Sequence, residues 1–286
     1  MKMSEWLVST DWLASHLGDA KLAVLDCSWY LPDSGKQAID DFRRGHIPTA
    51  RFIDLSTVSD PDSPYVNMLP SAELWAREIG RLGIDNETTV IVYDAGYVSA
   101  RLWWMFRVFG HDKVRILDGG LRKWVAEGRP VEAGDPKEAT PAAFEAVLQP
   151  GRVVDVEAVR AALDSGVTVV DARTAARFEG TEGSGYPGVA SGHMPNAVNT
   201  PWAKFFDPAN NFAFVDAETA AKVFTDAKVD VSGPVITTCG SGVTAAILGF
   251  MIERAGNPDW KLYDGSWHEW GQREDTPKRS ATTPKA

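Results

Sequence analysis

Apolar positions in this chain fall into short continuous runs that alternate with stretches of helical spacing. Runs such as LAVLD (22–26), TVIVY (89–93), VTVVD (167–171) and VITT (235–238) are rich in Val and bounded by turn-forming or polar residues. Short runs of this kind predict strands buried on both faces, as in a parallel sheet covered by helices. Helical segments are predicted between them. Ser9 and Thr10 precede DWLASHL, where a hydroxyl can cap free backbone N–H groups. Further helices are expected from Ser71 to about Leu82, over SARLWWMFRVFG and over LRKWVAEG.

The pattern then repeats. KLAVLDC matches VTVVDAR, GHIPTARFIDL matches GHMPNAVNTPW, VIVYDAGYVSARLWWMFRVFG matches VITTCGSGVTAAILGFMIERAG, and RILDGGLRKW matches KLYDGSWHEW, at a near-constant offset of 145 to 147 residues. A unit this long is not a solenoid repeat. It predicts a tandem duplication of one α/β domain, each copy a mostly parallel sheet flanked by helices. The first domain is expected over 1–131 and the second over 151–275. The polar, Pro- and Ala-rich stretch EAGDPKEATPAAFEA marks 132–150 as a linker, and 276–286 reads as a disordered tail.

Composition narrows the function classes. With 286 residues and 44% hydrophobic content the chain can build substantial cores. No apolar run is long enough to span a bilayer, and MKMSEWLVSTDWL lacks the apolar centre of a signal peptide, so a cytoplasmic protein is expected, with no membrane partner. The net charge of −10 argues against nucleic acid. An anionic substrate would need positive charge supplied locally. Eleven Trp are present, but Trp103 and Trp104 fall at core-like positions and suggest no cofactor role. Two cysteines, Cys27 and Cys239, are too few for a disulfide scaffold. Cys27, at the end of an apolar strand, reads as structural.

Cys239 is different. It ends a strand, and Gly240, Ser241 and Gly242 lead directly into a helix starting near Val243. In such a turn, backbone N–H groups and the helix N-terminus can favour a thiolate, the nucleophilic form of the residue. The first copy carries Asp94 at the equivalent point, and a carboxylate cannot replace a sulfur nucleophile. The first domain is therefore expected to be catalytically inactive. A cysteine phosphatase would need an arginine six residues after the cysteine, where this chain has Ala245. Nucleotide binding is weaker still, since a lone GSG lacks the other glycine and the lysine of a phosphate loop.

At these residues the sequence resembles the rhodanese superfamily, specifically its two-domain sulfurtransferases, over essentially the whole chain. The shared features are the GHxP turns at His46 and His193, the segments Asp118 to Gly120 and Asp264 to Trp267, RLWWMFRVFGH, and the loop CGSGVTA. That loop is similar to the 3-mercaptopyruvate sulfurtransferases. Thiosulfate-preferring members typically carry positive charge directly after the cysteine.

The resemblance implies covalent sulfur transfer. Cys239 takes sulfur from a small anionic donor, the loop residues Gly240, Ser241, Gly242, Val243 and Thr244 hold the persulfide, and a thiol or cyanide removes it. The acceptor thiol would be a small molecule or a thioredoxin-like protein, and no metal or organic cofactor is needed. The resemblance further implies that Arg177 binds the donor's carboxylate or sulfonate, that Ser241 faces the donor carbonyl, and that His46 partners Ser241. Because the histidine occurs in both GHxP turns, a purely structural role for His46 is equally open, and the acidic partner is unresolved between Asp33 and Asp40. Arg173 reads as a brace of the fold. The chain departs from the mercaptopyruvate pattern at Tyr186, where a second arginine is expected. The alternative activities are thiosulfate:cyanide sulfur transfer and a non-catalytic sulfur carrier.

Overall fold

A computed structural model of the chain describes residues 6–31 and 34–281. The order of elements is β1 (Leu7–Val8), α1 (Thr10–His16), β2 (Leu22–Asp26), α2 (Ala38–Arg44), β3 (Arg51–Phe52), α3 (Ala72–Arg81), β4 (Thr89–Tyr93), α4 (Ser99–Val108), β5 (Val114–Leu117) and α5 (Gly120–Ala126). The second half continues with β6 (Val153–Val154), α6 (Val156–Ser165), β7 (Thr168–Asp171), α7 (Ala175–Glu179), β8 (Val198–Asn199), β9 (Phe206–Asp207), β10 (Ala213–Phe214) and α8 (Ala217–Asp226). It ends with β11 (Val235–Thr238), α9 (Ala245–Arg254), β12 (Trp260–Tyr263) and α10 (Ser266–Trp270).

Two five-stranded sheets result, ordered β1-β5-β4-β2-β3 and β6-β12-β11-β7-β8. Every strand pair in both is parallel, as the continuously apolar runs predict. The cap expected at Ser9 forms, its side chain accepting from the N–H of Trp12, and Ser71 likewise accepts from that of Leu74. In each sheet the chain runs outward from one central strand and returns on its other side. The switch points lie between β2 and β4 and between β7 and β11. Open α/β sheets leave a crevice beyond the strand ends at such a point, where ligands bind. Asp94 directly follows β4, and Cys239 directly follows β11. The helices after them are core elements: all ten residues of α4, including Trp103 and Trp104, are buried, and so are Ala245 to Ile252 of α9.

Residues group into two compact units that do not follow the predicted boundaries. Unit 1 comprises 1–61, 69–149 and 206–214, and unit 2 comprises 62–68, 150–205 and 215–286. Each unit thus takes a short segment from the other half of the sequence, and the two segments are counterparts under the repeat offset. The expected linker is no free tether but part of unit 1. Within it Glu132 pairs with His46, Ala142 donates to the carbonyl of Gly80, Val147 to that of Phe109, and Phe144 is buried. The expected tail is corrected for 276–281. Arg279 pairs with His193, Ala281 donates to the carbonyl of Glu179, and the Trp270 indole donates to the carbonyl of Pro277. Backbone bonding, invisible to composition, fixes both stretches. Among the described residues no helix is long and apolar enough to cross a membrane.

Candidate active site

Cys239 is 2% exposed. Its N–H donates to Ser266 Oγ at 3.2 Å, while its carbonyl accepts from Trp267 N at 2.9 Å and that of Gly240 from His268 N at 2.8 Å. The first turn of α10 thereby fixes the start of the loop that follows Cys239. Gly242 has φ +78°, a left-handed conformation that glycine adopts without a steric penalty. Beyond it, α9 begins at Ala245. The N–H groups of Ser241, Val243 and Thr244 donate to no other residue among the described residues. Unpaired N–H groups in a mostly buried loop at a helix start suit an anion.

Unit 1 shows what such a loop holds. The Asp94 carboxylate accepts from Gly96 N through Oδ1, and from Val98 N at 2.7 Å and Ser99 N at 2.5 Å through Oδ2. Under the repeat offset these are the counterparts of Ser241, Val243 and Thr244. The first copy supplies its own anion, whereas the second leaves the corresponding groups available. The backbones are not identical, since Tyr97, the counterpart of Gly242, has no positive φ.

Ser241 is buried, and its Oγ accepts twice, from the Tyr186 hydroxyl at 2.8 Å and from Asn67 Nδ2 at 3.1 Å. A hydroxyl has two acceptor sites and one hydrogen. With both acceptor sites engaged, the Ser241 hydrogen points away from these partners and is free to donate to a bound molecule. Asn67 belongs to the segment 62–68 within unit 2. No residue-type signal marked it in the sequence, and only the correspondence of 62–68 with 206–214 could have drawn attention to the stretch. Asn67→Leu should slow persulfide formation up to about tenfold, the worth of one neutral hydrogen bond, in single-turnover measurements. An unchanged rate would show that Tyr186 alone orients Ser241.

His46 lies in unit 1. It is buried, its Nδ1 is 2.8 Å from the Phe42 carbonyl, its ring stacks on Phe42, and its backbone pairs with Glu132. His193 repeats each of these contacts with Phe178 and Arg279. A histidine given the same bonds in both copies braces a turn. Of its two suggested acidic partners, Asp40 is exposed and paired with Arg43, and Asp33 lies outside the described residues.

Arg177 lies 29% exposed with Nε 3.1 Å from Glu182, and its Nη1 and Nη2 donate to no residue among the described residues. A side chain on Gly185 would come within 3.1 Å of Nη1, so the guanidinium lies against the backbone beside Tyr186. The Tyr186 ring covers Gly240, where an added Cβ would meet it at 3.4 Å. Arg173 is buried, bound by both Asp171 oxygens and the Gly192 carbonyl, and set over the Trp267 ring, as expected of a structural arginine. Cys27 is fully buried, with its thiol 3.2 Å from the Tyr93 carbonyl. Burial, with Asp94 and Asp26 nearby, pushes its pKa well up, away from the reactive thiolate. Among the described residues no group of three or more His, Cys, Asp or Glu could hold a metal ion.

Comparison with known proteins agrees with this architecture. The rhodanese-like domain family matches residues 9–127 and 155–273. The 3-mercaptopyruvate sulfurtransferase of Homo sapiens is 42% identical over 276 residues, covering 93% of this chain and 92% of that protein. The thiosulfate sulfurtransferase of Gallus gallus is 41% identical over 277 residues, covering 93% of each. Among solved structures, SseA from Escherichia coli, a 3-mercaptopyruvate sulfotransferase, superposes with a TM-score of 0.84 at 34% identity, covering 92% of this chain and 99% of that one. With two matched domains and such identity over nearly its whole length, this chain belongs to the rhodanese-like family.

Proposed function

We propose that the protein is a sulfurtransferase that moves sulfur from 3-mercaptopyruvate through a Cys239 persulfide to a thiol or cyanide. The Cys239 thiolate attacks the substrate sulfur, an S–S bond forms and the C–S bond breaks. The electron pair passes to carbon and is delocalised onto the neighbouring carbonyl oxygen as an enolate. Ser241 donates its hydrogen bond to that oxygen, the proton of the substrate thiol passes through water to the enolate carbon, pyruvate leaves, and the persulfide is left as its anion. The persulfide anion rests on the N–H groups of Ser241, Val243 and Thr244. An acceptor thiolate, or cyanide, then attacks the outer sulfur and releases the Cys239 thiolate. The transfer is thus split into two steps by covalent catalysis.

The observation that carries this reading is the doubly accepting Ser241, whose hydrogen is left to face a carbonyl. Thiosulfate has no carbonyl, and as a compact dianion it needs positive charge close to the thiolate. Gly240 and Ser241 provide none. The relatives do not decide the matter, because proteins named for each activity are equally similar. For the mercaptopyruvate carboxylate, Arg177 offers its two open nitrogens in the fork geometry that suits a carboxylate. Tyr186, bonded to Ser241, stands in for a second arginine and withholds charge. Loss of one charged hydrogen bond costs about 1.5 to 3 kcal/mol, or about ten- to hundredfold in affinity.

Steady-state kinetics with each substrate tests the proposal. A higher kcat/KM is expected for 3-mercaptopyruvate than for thiosulfate, with a high KM for both, and the reverse order would assign the thiosulfate activity instead. We place the protein in a reducing compartment such as the cytoplasm, where Cys239 stays a thiol. The acceptor there is a small thiol or a thioredoxin-like protein.

A further inference from the structure

His268 has no place in the chemistry described so far, yet it adjoins the catalytic loop. Its N–H is bonded to the Gly240 carbonyl. Its ring meets Tyr186 edge-on, with centroids 4.9 Å apart, and Tyr65 at 6.2 Å. Arg177 against Gly185, then Tyr186, then His268 form one continuous wall beside Gly240.

The bonds of the ring define its hydrogen. Nδ1 faces Val66 N at 3.4 Å and Gln272 Nε2 at 3.1 Å, and both carry hydrogens. Gln272 cannot present its oxygen instead, because its Nε2 also donates to the His268 carbonyl. Nδ1 therefore accepts, and the hydrogen of the neutral ring sits on Nε2. Among the described residues Nε2 has no partner, and it is not among the buried polar atoms left unpaired, so solvent reaches it.

We propose that His268 is a substrate-binding residue that stays neutral and donates its Nε2–H to the carboxylate of the sulfur donor, beside Arg177. In this way it supplies the second contact that Tyr186 does not. The assignment rests on the 3-mercaptopyruvate reading for the identity of that carboxylate.

Protonation of His268 would set an Nδ1–H against two other N–H groups. Burial also lowers its pKa. Its ring neighbours Tyr65, Tyr186 and Gln272 include no carboxylate. Cys239 lies beyond Gly240, and on the stretch of His268 itself Glu269 is engaged by Tyr263 and by Arg273 at 3.6 Å. Among the described residues no carboxylate is bonded to the ring.

The test is steady-state kinetics of the full chain with 3-mercaptopyruvate at about pH 6 to 8, with pyruvate as a competitive inhibitor. His268→Phe keeps the ring packing and removes the N–H. It should raise KM, and weaken pyruvate inhibition, about ten- to hundredfold, as expected for a hydrogen bond to a charged group, while kcat changes less than about twofold. His268→Gln, whose amide nitrogen can take the place of Nε2, should recover most of the loss. The KM of the unsubstituted protein should stay flat with pH. An unchanged KM in the Phe variant would overturn the proposal, and so would a KM that rises steadily as pH rises, since that marks loss of a binding imidazolium. Should the Phe variant fail to fold, the Gln variant and the pH profile still decide. If thiosulfate proves the better substrate, the mercaptopyruvate reading fails, and the KM of the Phe variant for thiosulfate then judges His268 separately.

Discussion

Cys239→Ser should lower sulfur transfer by about 10⁴-fold or more, the scale seen when a covalent nucleophile is removed. A hydroxyl at this position is neither ionised at neutral pH nor a good nucleophile toward divalent sulfur, so the persulfide step has no substitute. The change is nearly isosteric, and it leaves the loop bonds to Ser266, Trp267 and His268 intact, because these involve backbone atoms of Cys239 and Gly240. Treated with 3-mercaptopyruvate and examined by mass spectrometry, the unsubstituted protein should gain one sulfur atom that a reductant removes. Cys239→Ser should not gain it. Cys27→Ser should behave like the unsubstituted protein, because Cys27 is buried, tied to the Tyr93 carbonyl and held as a thiol. Sulfur retained by Cys239→Ser would move the nucleophile elsewhere.

The parts of this molecule legible in the sequence are those governed by period and repetition. Continuous Val-rich runs set the parallel strands, and the 145-residue offset exposed both the duplication and the contrast of Asp94 with Cys239. What escaped depends on chain segments meeting by tertiary packing alone. The exchanged stretches 62–68 and 206–214 contain at most two-residue strands. Neither helical nor strand periodicity could announce them, and Asn67 reached Ser241 unforeseen. His46 stands out for the opposite reason: its motif is conspicuous, and the imidazole nitrogen on a carbonyl and the aromatic stack found in both copies serve a turn. Proline and alanine content suggested free segments at 132–150 and 276–281, where backbone hydrogen bonds instead attach them.

Removing the carboxylate of Asp94 should destabilise unit 1 while leaving the chemistry of the folded protein untouched. Three N–H groups converge on this 6% exposed side chain. Leaving a buried donor unsatisfied costs about 1 to 3 kcal/mol each. Because neighbouring losses do not add fully, Asp94→Ala should cost about 3 to 5 kcal/mol, and Asp94→Asn, which keeps one acceptor oxygen, about half as much. Urea unfolding followed by tryptophan fluorescence would read this as an earlier transition. The transition need not be two-state in a chain with two units, so the first phase is the one to follow. Cys239, Ser241, Arg177, Tyr186, Asn67 and His268 lie in unit 2, so kcat measured well below the transition should not change. The cause is separable from a general packing defect. Formate is a carboxylate small enough to enter the space vacated in Asp94→Ala, and a ligand that binds only the folded state stabilises it in proportion to its occupancy. Formate should therefore raise the unfolding midpoint of Asp94→Ala but not that of the unsubstituted protein, in which Asp94 already fills the cradle. If the midpoint of Asp94→Ala matches the unsubstituted value without any added anion, the three N–H groups do not depend on the carboxylate, and the parallel drawn between this loop and the persulfide-holding loop of unit 2 fails with it.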